Sequence, residues 1–313
     1  MAMTPQEYAM LDSKNKAVFA NAVAALNENV MPDGMGVFTR HIISRLDNVP
    51  VWTTGVIPAM GDFVAGNRTS FNGDVDPVLV SATYKDVVFD LDRKYVEQYY
   101  DSGVVQQLIE GFRTAPAQNV ASTAMTLIKA GETTVMPDSK NFFDTTRAVP
   151  NILEFAVVDK TAPTALEIYE AVMAGYKFMH SMNYDGNFFN DGMPGFNIMM
   201  SVANATRVDK DVEKGTTILD YLVGRMLGLK GMSISSWTSS AYDDDEALIL
   251  TPTGAAGKAI DLISDPTPEL TFWGRTSDYF KENYRYKYGI TLKRHVRLGN
   301  PLYCVKVKLI NAV

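Results

Sequence analysis

The chain closes with YKYGITLKRHVRLGNPLYCVKVKLI (residues 286–310), and this stretch predicts a strand, a turn and a second strand. We expect strands over 286–296 and 302–310, because apolar residues alternate there with polar ones, as they do in a pleated strand. Gly299, Asn300 and Pro301 lie between the two strands, and these residue types favour tight turns. An earlier part of the chain must therefore form the sheet with which these two strands pair.

The same end of the chain carries much of the positive charge. Residues 281–313 hold eight bases and one acid, a net charge of +7, whereas the remaining 21 bases and 35 acids give −14. One interpretation is a solvated strand face. The other is a surface that meets an acidic neighbouring copy, or a packaged polyanion, by charge complementarity. The net charge of the whole chain is −7, the opposite of the balance expected for tight binding to nucleic acid phosphates.

Bulk composition indicates a folded, soluble chain. Its 313 residues are 46% apolar and 21% charged, which excludes an intrinsically disordered protein. Cys304 is the only cysteine, so no intrachain disulfide can form, and its place in an alternating strand favours a small core residue. No signal peptide is recognisable, and no apolar run reaches the ~20 residues of a membrane span. We expect synthesis in the cytoplasm and no contact with a membrane.

Local signals divide the first part of the chain into an arm, a loop and strands. Thr4 and Glu7 form a capping box that predicts a helix over about 4–26, with an apolar stripe that charged residues interrupt. Residues 48–77 are punctuated by glycine and proline, which favours a long projecting loop. Residues 78–84 and 87–91 then alternate as strands do.

Helices and strands mix in the rest of the chain, which predicts the α+β class. A helix is expected over 103–130, interrupted or kinked at Pro116, with small residues on the side that packs on a sheet. A second capping box, Thr164 with Glu167, opens another helix. Its predicted buried face consists of Ile168, Val172, Tyr176 and Met179. A strand over 196–202 and a further helix over 218–227 are also predicted.

A phosphate-binding loop is suggested, and then excluded, by residues 253–259. The stretch TGAAGKA resembles the glycine-rich loop of nucleotide-binding proteins. However, Pro252 stands at the first glycine position and Ala259 replaces the hydroxyl that would bind magnesium. We therefore expect a turn followed by the start of a helix.

The sequence also indicates neither a metal site nor a group of catalytic residues. His41, His180 and His295 have no partner ligands at a recognised spacing. The acidic run of residues 243–246 could attract calcium, but it lacks the alternation of an EF-hand loop, so a solvated acidic turn is favoured. No serine stands in a nucleophile elbow. We expect no catalytic residue, no cofactor and no metal, hence no enzyme.

The C-terminal segment resembles the closing pattern of tailed-bacteriophage major capsid proteins, in particular the head subunits of contractile-tailed phages. The resemblance rests on Tyr279 to Asn283, on the basic strand over 290–297, and on the turn from Gly299 to Leu302. Residues 135–144, which include Phe142 and Phe143, are also similar to these head subunits. The resemblance implies the Hong Kong 97-like fold, which encapsulins share.

The resemblance also implies a division of the chain. Residues 1–46 would form the N-terminal arm, and 47–93 the extended loop that lies over a neighbouring subunit. Residues 94–163 with 271–313 would form the peripheral domain, whose long spine helix covers 103–130. Residues 164–270 would form the axial domain, which gathers around the fivefold and sixfold axes.

The implied function is self-assembly as pentamers and hexamers into an icosahedral phage head that encloses double-stranded DNA. We expect subunit contacts at Phe63, Arg68, Phe71, Arg285, Arg294 and Arg297. A separate scaffold, a portal and cement proteins are possible partners, and packaged DNA would be contacted non-specifically. The protein would be assembled in the host cytoplasm and reside in the virion. Two alternatives remain open: an encapsulin-type compartment shell, and a soluble enzyme with an unrecognised site.

Overall fold

The architecture was taken from a computed structural model. It describes residues 6, 9–14, 16–17, 35–46, 48–52, 77–81, 83–99, 104–184, 188, 190, 193, 195–208, 233–238, 242, 246–254, 257–265, 267 and 269–312. The predicted cap at Thr4, the loop over 53–76, the helix over 218–227 and the acids at 243–245 lie outside these residues. Residues 9–14 and 16–17 are helical, in agreement with the predicted arm helix.

The described strands are numbered β1 to β12 in chain order. They comprise Thr39–Ile43, Asn48–Trp52, Pro77–Ser81, Thr83–Asp92, Ile152–Val157, Gly195–Met200, Ser233–Thr238, Ala247–Pro252, Ile260–Ser264, Glu269–Trp273, Arg285–Leu298 and Val305–Asn311. The helices α1 to α5 comprise Arg93–Tyr99, Val104–Lys129, Ala165–Ser181, Val202–Val208 and Asp278–Asn283. Short 3-10 turns lie at Met35–Val37, Ala130–Glu132 and Pro301–Tyr303.

Sheet I is built around the long strand β11. β9 pairs with its residues 294–298, β10 with 287–291 and β4 with 285–294, all antiparallel, and β1 lies parallel to β9. On one face Tyr286, Tyr288 and Ile290 are buried, and Phe89 stacks on Tyr288 with ring centroids 4.8 Å apart. The predicted inward positions of β4, namely 87, 89 and 91, are indeed the less exposed ones.

Sheet II has the order β5-β12-β8-β6-β7 and packs against α3. The predicted capping box is present: the Thr164 hydroxyl accepts from the Glu167 amide, and the Glu167 carboxylate accepts from the Thr164 amide at 2.7 Å. The helix approaches β12 so closely that a Cβ on Gly175 would lie 2.5 Å from a Val307 methyl. Only glycine fits this contact without a shift of its neighbours.

Helix α2 lies where the two sheets meet. Its buried Ala121, Ala124 and Ile128 belong to one core cluster with Ile260 of sheet I and Ile249 of sheet II. This agrees with the predicted stripe of small residues. The helix is continuous through Pro116, so the interruption that we considered there does not occur.

The two terminal strands lie in different sheets. β11 is longer than predicted, and β12 begins at Val305, because residues 301–303 form a 3-10 turn that Asn300 caps. β12 pairs with β5 and β8, so the two strands do not form a hairpin. Each sheet also combines strands from different predicted regions. In sheet I, β1 belongs to the predicted arm, β4 to the extended loop and β11 to the peripheral domain. In sheet II, β5 and β12 belong to the peripheral domain, and β6, β7 and β8 to the axial domain.

Candidate assembly interface

The base of the predicted extended loop is a two-stranded ribbon. β2 and β3 pair antiparallel from Asn48 opposite Ser81 to Trp52 opposite Pro77. Val49 and Val80 are buried against Ile263 of sheet I, whereas Leu79 is 69% exposed. Val49 and Val80 thus fix the ribbon to sheet I, and Leu79 is accessible to solvent. Three predicted contact residues, Phe63, Arg68 and Phe71, belong to the stretch between the two strands and lie outside the described residues.

The arm helix contacts the same subunit at the end of sheet I. Leu11 is buried in the cluster around Tyr286, and the Asp12 carboxylate accepts a hydrogen bond from the Arg275 backbone N–H at 3.0 Å. Burial raises the pKa of the Asp12 carboxyl, although the hydrogen bond from Arg275 opposes this change. Leu11 and Asp12 therefore hold part of the arm in place, by apolar packing and by a hydrogen bond.

The first predicted basic contact residue, Arg285, is exposed. It begins β11 and stands opposite Asp92 of β4 in the strand register. Opposite charges on facing positions of an antiparallel pair are favourable but weak when exposed to water. Arg285 is thus accessible to a neighbouring copy.

Arg297, in contrast, takes part in a charge ladder within the subunit. Arg40 on β1, Asp261 on β9 and Arg297 on β11 occupy one row across three adjacent strands. Arg40 binds Asp261 through two hydrogen bonds, from Nε at 2.8 Å and from Nη2 at 2.9 Å, and Arg297 Nε lies 3.7 Å from the same carboxylate. Asp261 is 1% exposed, so both cations compensate a charge that is removed from water.

Arg294 points to the opposite face of sheet I, toward α2. Its Nη1 donates to the Pro116 carbonyl at 3.2 Å, and the residue is 7% exposed. Burial lowers the pKa of its guanidinium to about 10. A charge reversal at Arg294 would therefore act on the fold of the subunit as well as on any contact between subunits.

Two lysines of the closing segment, Lys293 and Lys306, are also buried inside the subunit. Lys306 is 5% exposed, and its Nζ lies 2.8 Å from Glu132, which Lys308 also contacts at 3.0 Å. Lys293 is 6% exposed and donates to the Arg45 carbonyl. The solvated strand face that we considered for this segment is therefore wrong at Lys293 and Lys306, whereas the Lys308 side chain is 39% exposed.

Exposed apolar side chains add contact surface that the sequence does not reveal. Tyr84 is 63% and Val88 42% exposed on β4, and no described strand pairs with the far edge of this ten-residue strand. Val158, directly after β5, is 82% exposed, and Leu166, at the start of α3, is 58% exposed. Alternation shows which face of a strand is apolar, but it does not show whether that face meets the core or a neighbour.

Several of the remaining candidates from the sequence lie in the core, in a turn or in contact with a neighbouring side chain. Cys304 is fully buried in the core, as predicted, and burial raises the pKa of its thiol. Gly254 stands in a turn with φ 75°, but β9 follows at Ile260, so the predicted start of a helix is wrong. His41 hydrogen-bonds Ser264 at 2.6 Å, and Glu246 pairs with Lys160 at 2.7 Å.

Among the described residues, no three His, Cys, Asp or Glu side chains come together in a way that could hold a metal ion. Nor does any helix within those residues combine the length and the apolar character that crossing a bilayer requires.

Solved structures share this architecture over nearly the whole chain. The procapsid of bacteriophage JBD30 has a TM-score of 0.55 at 13% identity, over 98% of this chain and 76% of that chain. The virus-like particle from Pyrococcus furiosus has 0.52 at 12% identity, over 95% and 98%. The mature capsid of bacteriophage PhiM1 has 0.51 at 12% identity, over 88% and 86%.

The chain therefore has the fold of tailed-phage major capsid proteins, the Hong Kong 97-like fold, and the predicted α+β class is confirmed. No protein-family model matches the sequence, and no curated protein matches it either. The likeness is thus one of structure, and the neighbours are subunits of capsids and of a virus-like particle.

Proposed function

We propose that this chain is a major capsid protein, which assembles as pentamers and hexamers into an icosahedral phage head around double-stranded DNA. The observation that carries the proposal is the capsid fold, shared over almost the entire chain rather than over one module. In this proposal the surface residues of the chain make contacts between copies, and the function requires no catalytic group. Individually weak contacts become durable when each subunit is held at several points.

The ribbon β2–β3 supports a role for the loop between its strands. In our proposal, residues 47–93 reach over a neighbouring subunit, and the arm covers 1–46. Residues 94–163 with 271–313 form the peripheral domain around α2, and residues 164–270 form the axial domain. Contacts of this kind are heterologous, so they close into rings when the rotation between copies is right. Phe63, Arg68, Phe71 and Arg285 are the proposed contact residues in the loop and on the exposed end of β11.

The negative net charge of the chain supports the proposal of a shell that can release its packaged DNA. The net charge of −7 disfavours tight binding of packaged DNA, which the shell would contact non-specifically. In our proposal the subunits assemble in the host cytoplasm and end in the virion. A separate scaffold, a portal and cement proteins are the proposed partners.

A second candidate is a shell of the encapsulin type. The particle from Pyrococcus furiosus favours it, because this chain covers 98% of that subunit. The two functions differ in the genetic neighbourhood and in the contents of the particle. A gene for a portal or terminase next to this one favours the phage head, whereas a neighbouring cargo enzyme favours the compartment.

Electron microscopy of the purified protein tests the proposal. We expect closed shells in negative stain, alone or with the native scaffold. Deletion of residues 55–75 should leave a subunit that melts cooperatively but forms no stable shell. A matched control, Asp278→Asn with Lys281→Gln at an exposed pair on α5, should assemble like the wild type. Normal shells from the deletion would refute the loop assignment, and a small oligomer under every condition would refute the shell.

A further inference from the structure

Among the described residues, Arg294 carries a buried charge without an acidic partner. No carboxylate of these residues lies within ion-pair distance of its guanidinium, and the Pro116 carbonyl takes only the Nη1 donor. The Nε atom is buried and has no hydrogen-bond acceptor in the same described part of the chain. A buried cation of this kind is costly unless an anion and further acceptors compensate it.

Arg40, in the same sheet, shows how a carboxylate can bind the guanidinium of an arginine. Its Nε and Nη2 atoms form the fork that grips both oxygens of Asp261. A carboxylate that approaches this edge of a guanidinium makes two parallel, charge-assisted hydrogen bonds. On Arg294 the Nε–H of the corresponding edge has no acceptor among the residues that the structure describes.

The positive charge of Arg294 acts on the face of sheet I around it. Burial and the charge of Arg294 together lower the pKa of His41, which lies on the same face. Arg294 stands in one row with Thr83, Ser264 and Ile43, and this row ends on both sides at exposed residues. A ligand that arrives from outside the subunit would therefore have to be an anion.

We propose that Arg294 receives a carboxylate of a second copy through its Nε–Nη2 edge when subunits assemble. The inference rests on the proposed shell function. A second copy is the chosen occupant because the chain outside residues 281–313 carries a net charge of −14, so each neighbour offers acids to this basic end. The contact would replace the missing anion only in the assembled state, and would therefore favour assembly over the free subunit.

Two variants separate this role from a role in folding. Arg294→Met removes the charge and keeps the length of the side chain. We expect its free subunit to melt at the wild-type temperature or above, and its critical concentration for shell formation to rise about tenfold or more. Arg40→Met is the matched control, because it leaves Asp261 buried beside Arg297 alone, and it should lower the melting temperature of the free subunit.

Cryo-electron microscopy of wild-type shells supplies the second measurement. The expected map shows a carboxylate of a neighbouring copy within about 3 Å of Arg294 Nε. Equal assembly of the wild type and Arg294→Met, loss of the cooperative melt in Arg294→Met, or a nucleic acid phosphate at Nε would each overturn the inference. Failure of the wild type to form any shell would instead refute the proposed function, and the inference with it.

Discussion

Sheet I and sheet II differ in the side chains that their strands bury. Sheet II packs Phe196, Leu250 and Val307 against α3 in an apolar interface. Sheet I has an aromatic cluster at one end, but it also buries Asp261 and Arg294, and it anchors the ribbon through the small apolar contact of Val49 and Val80. The comparison indicates a difference of degree: the contact of sheet II with α3 is apolar and the buried charge on its described strands is Lys306, whereas sheet I buries Asp261, Lys293 and Arg294 and depends more on correct charge partners.

The largest effect is expected from Asp261→Asn in sheet I. The substitution keeps the shape of the side chain but removes the charge that faces Arg40 and Arg297. Loss of one partner from a buried ionic set costs about 3–5 kcal/mol of unfolding free energy. Chemical denaturation of the free subunit measures this loss.

The control for Asp261→Asn is Asp278→Asn, which removes one carboxylate from an exposed pair with Lys281 on α5. The melting temperature of this variant should match the wild type. If both variants behave alike, the buried position of Asp261 does not make its ionic contacts more important for stability than an exposed pair.

A smaller effect is expected from Gly175→Ala in sheet II. The new methyl group would lie 2.5 Å from a Val307 methyl, so either α3 or β12 must move. Overpacking of this kind costs about 1–3 kcal/mol. The double variant Gly175→Ala with Val307→Ala should recover part of the loss, because it makes room for the methyl group. A double variant that loses the full sum of both single effects would show that the contact with Val307 is not the cause.

Features with local causes were predictable from the sequence. The capping box at Thr164 and Glu167 needs only residues three apart, and the buried face of α3 follows from helical spacing. The alternation of Val305, Val307 and Leu309 correctly indicates a strand. It does not indicate the strand's partners, because a period of two specifies a face and not a neighbour.

The charges of the closing strands could not be placed from the sequence for the same reason. Lys308 meets Glu132 across 176 positions of the chain, and Arg294 meets the carbonyl of Pro116 across 178. Composition indicates only that the C-terminal segment is basic. Which of its bases face water and which face the interior depends on contacts between distant elements. Of the three predicted contact arginines in this segment, only Arg285 is exposed.

Glu132→Gln should have the smallest effect on the free energy of unfolding. Glu132 binds Lys306 and Lys308 of β12, so this variant tests an ionic contact of sheet II. The dependence of its effect on pH makes the comparison between the two sheets sharper. Burial opposes ionisation of this carboxyl, but the hydrogen bonds from Lys306 and Lys308 prevail and hold its pKa below the ordinary 4.5. A lowered folded-state pKa means that the contribution to stability is complete above about pH 4.5 and is lost as the pH falls through the folded pKa. The side chain is 33% exposed, so we expect a loss of only about 1 kcal/mol near neutral pH. Unfolding curves of both proteins from neutral to acidic pH should converge at the acidic end, and a difference that persists there would mean that the amide disturbs packing rather than charge.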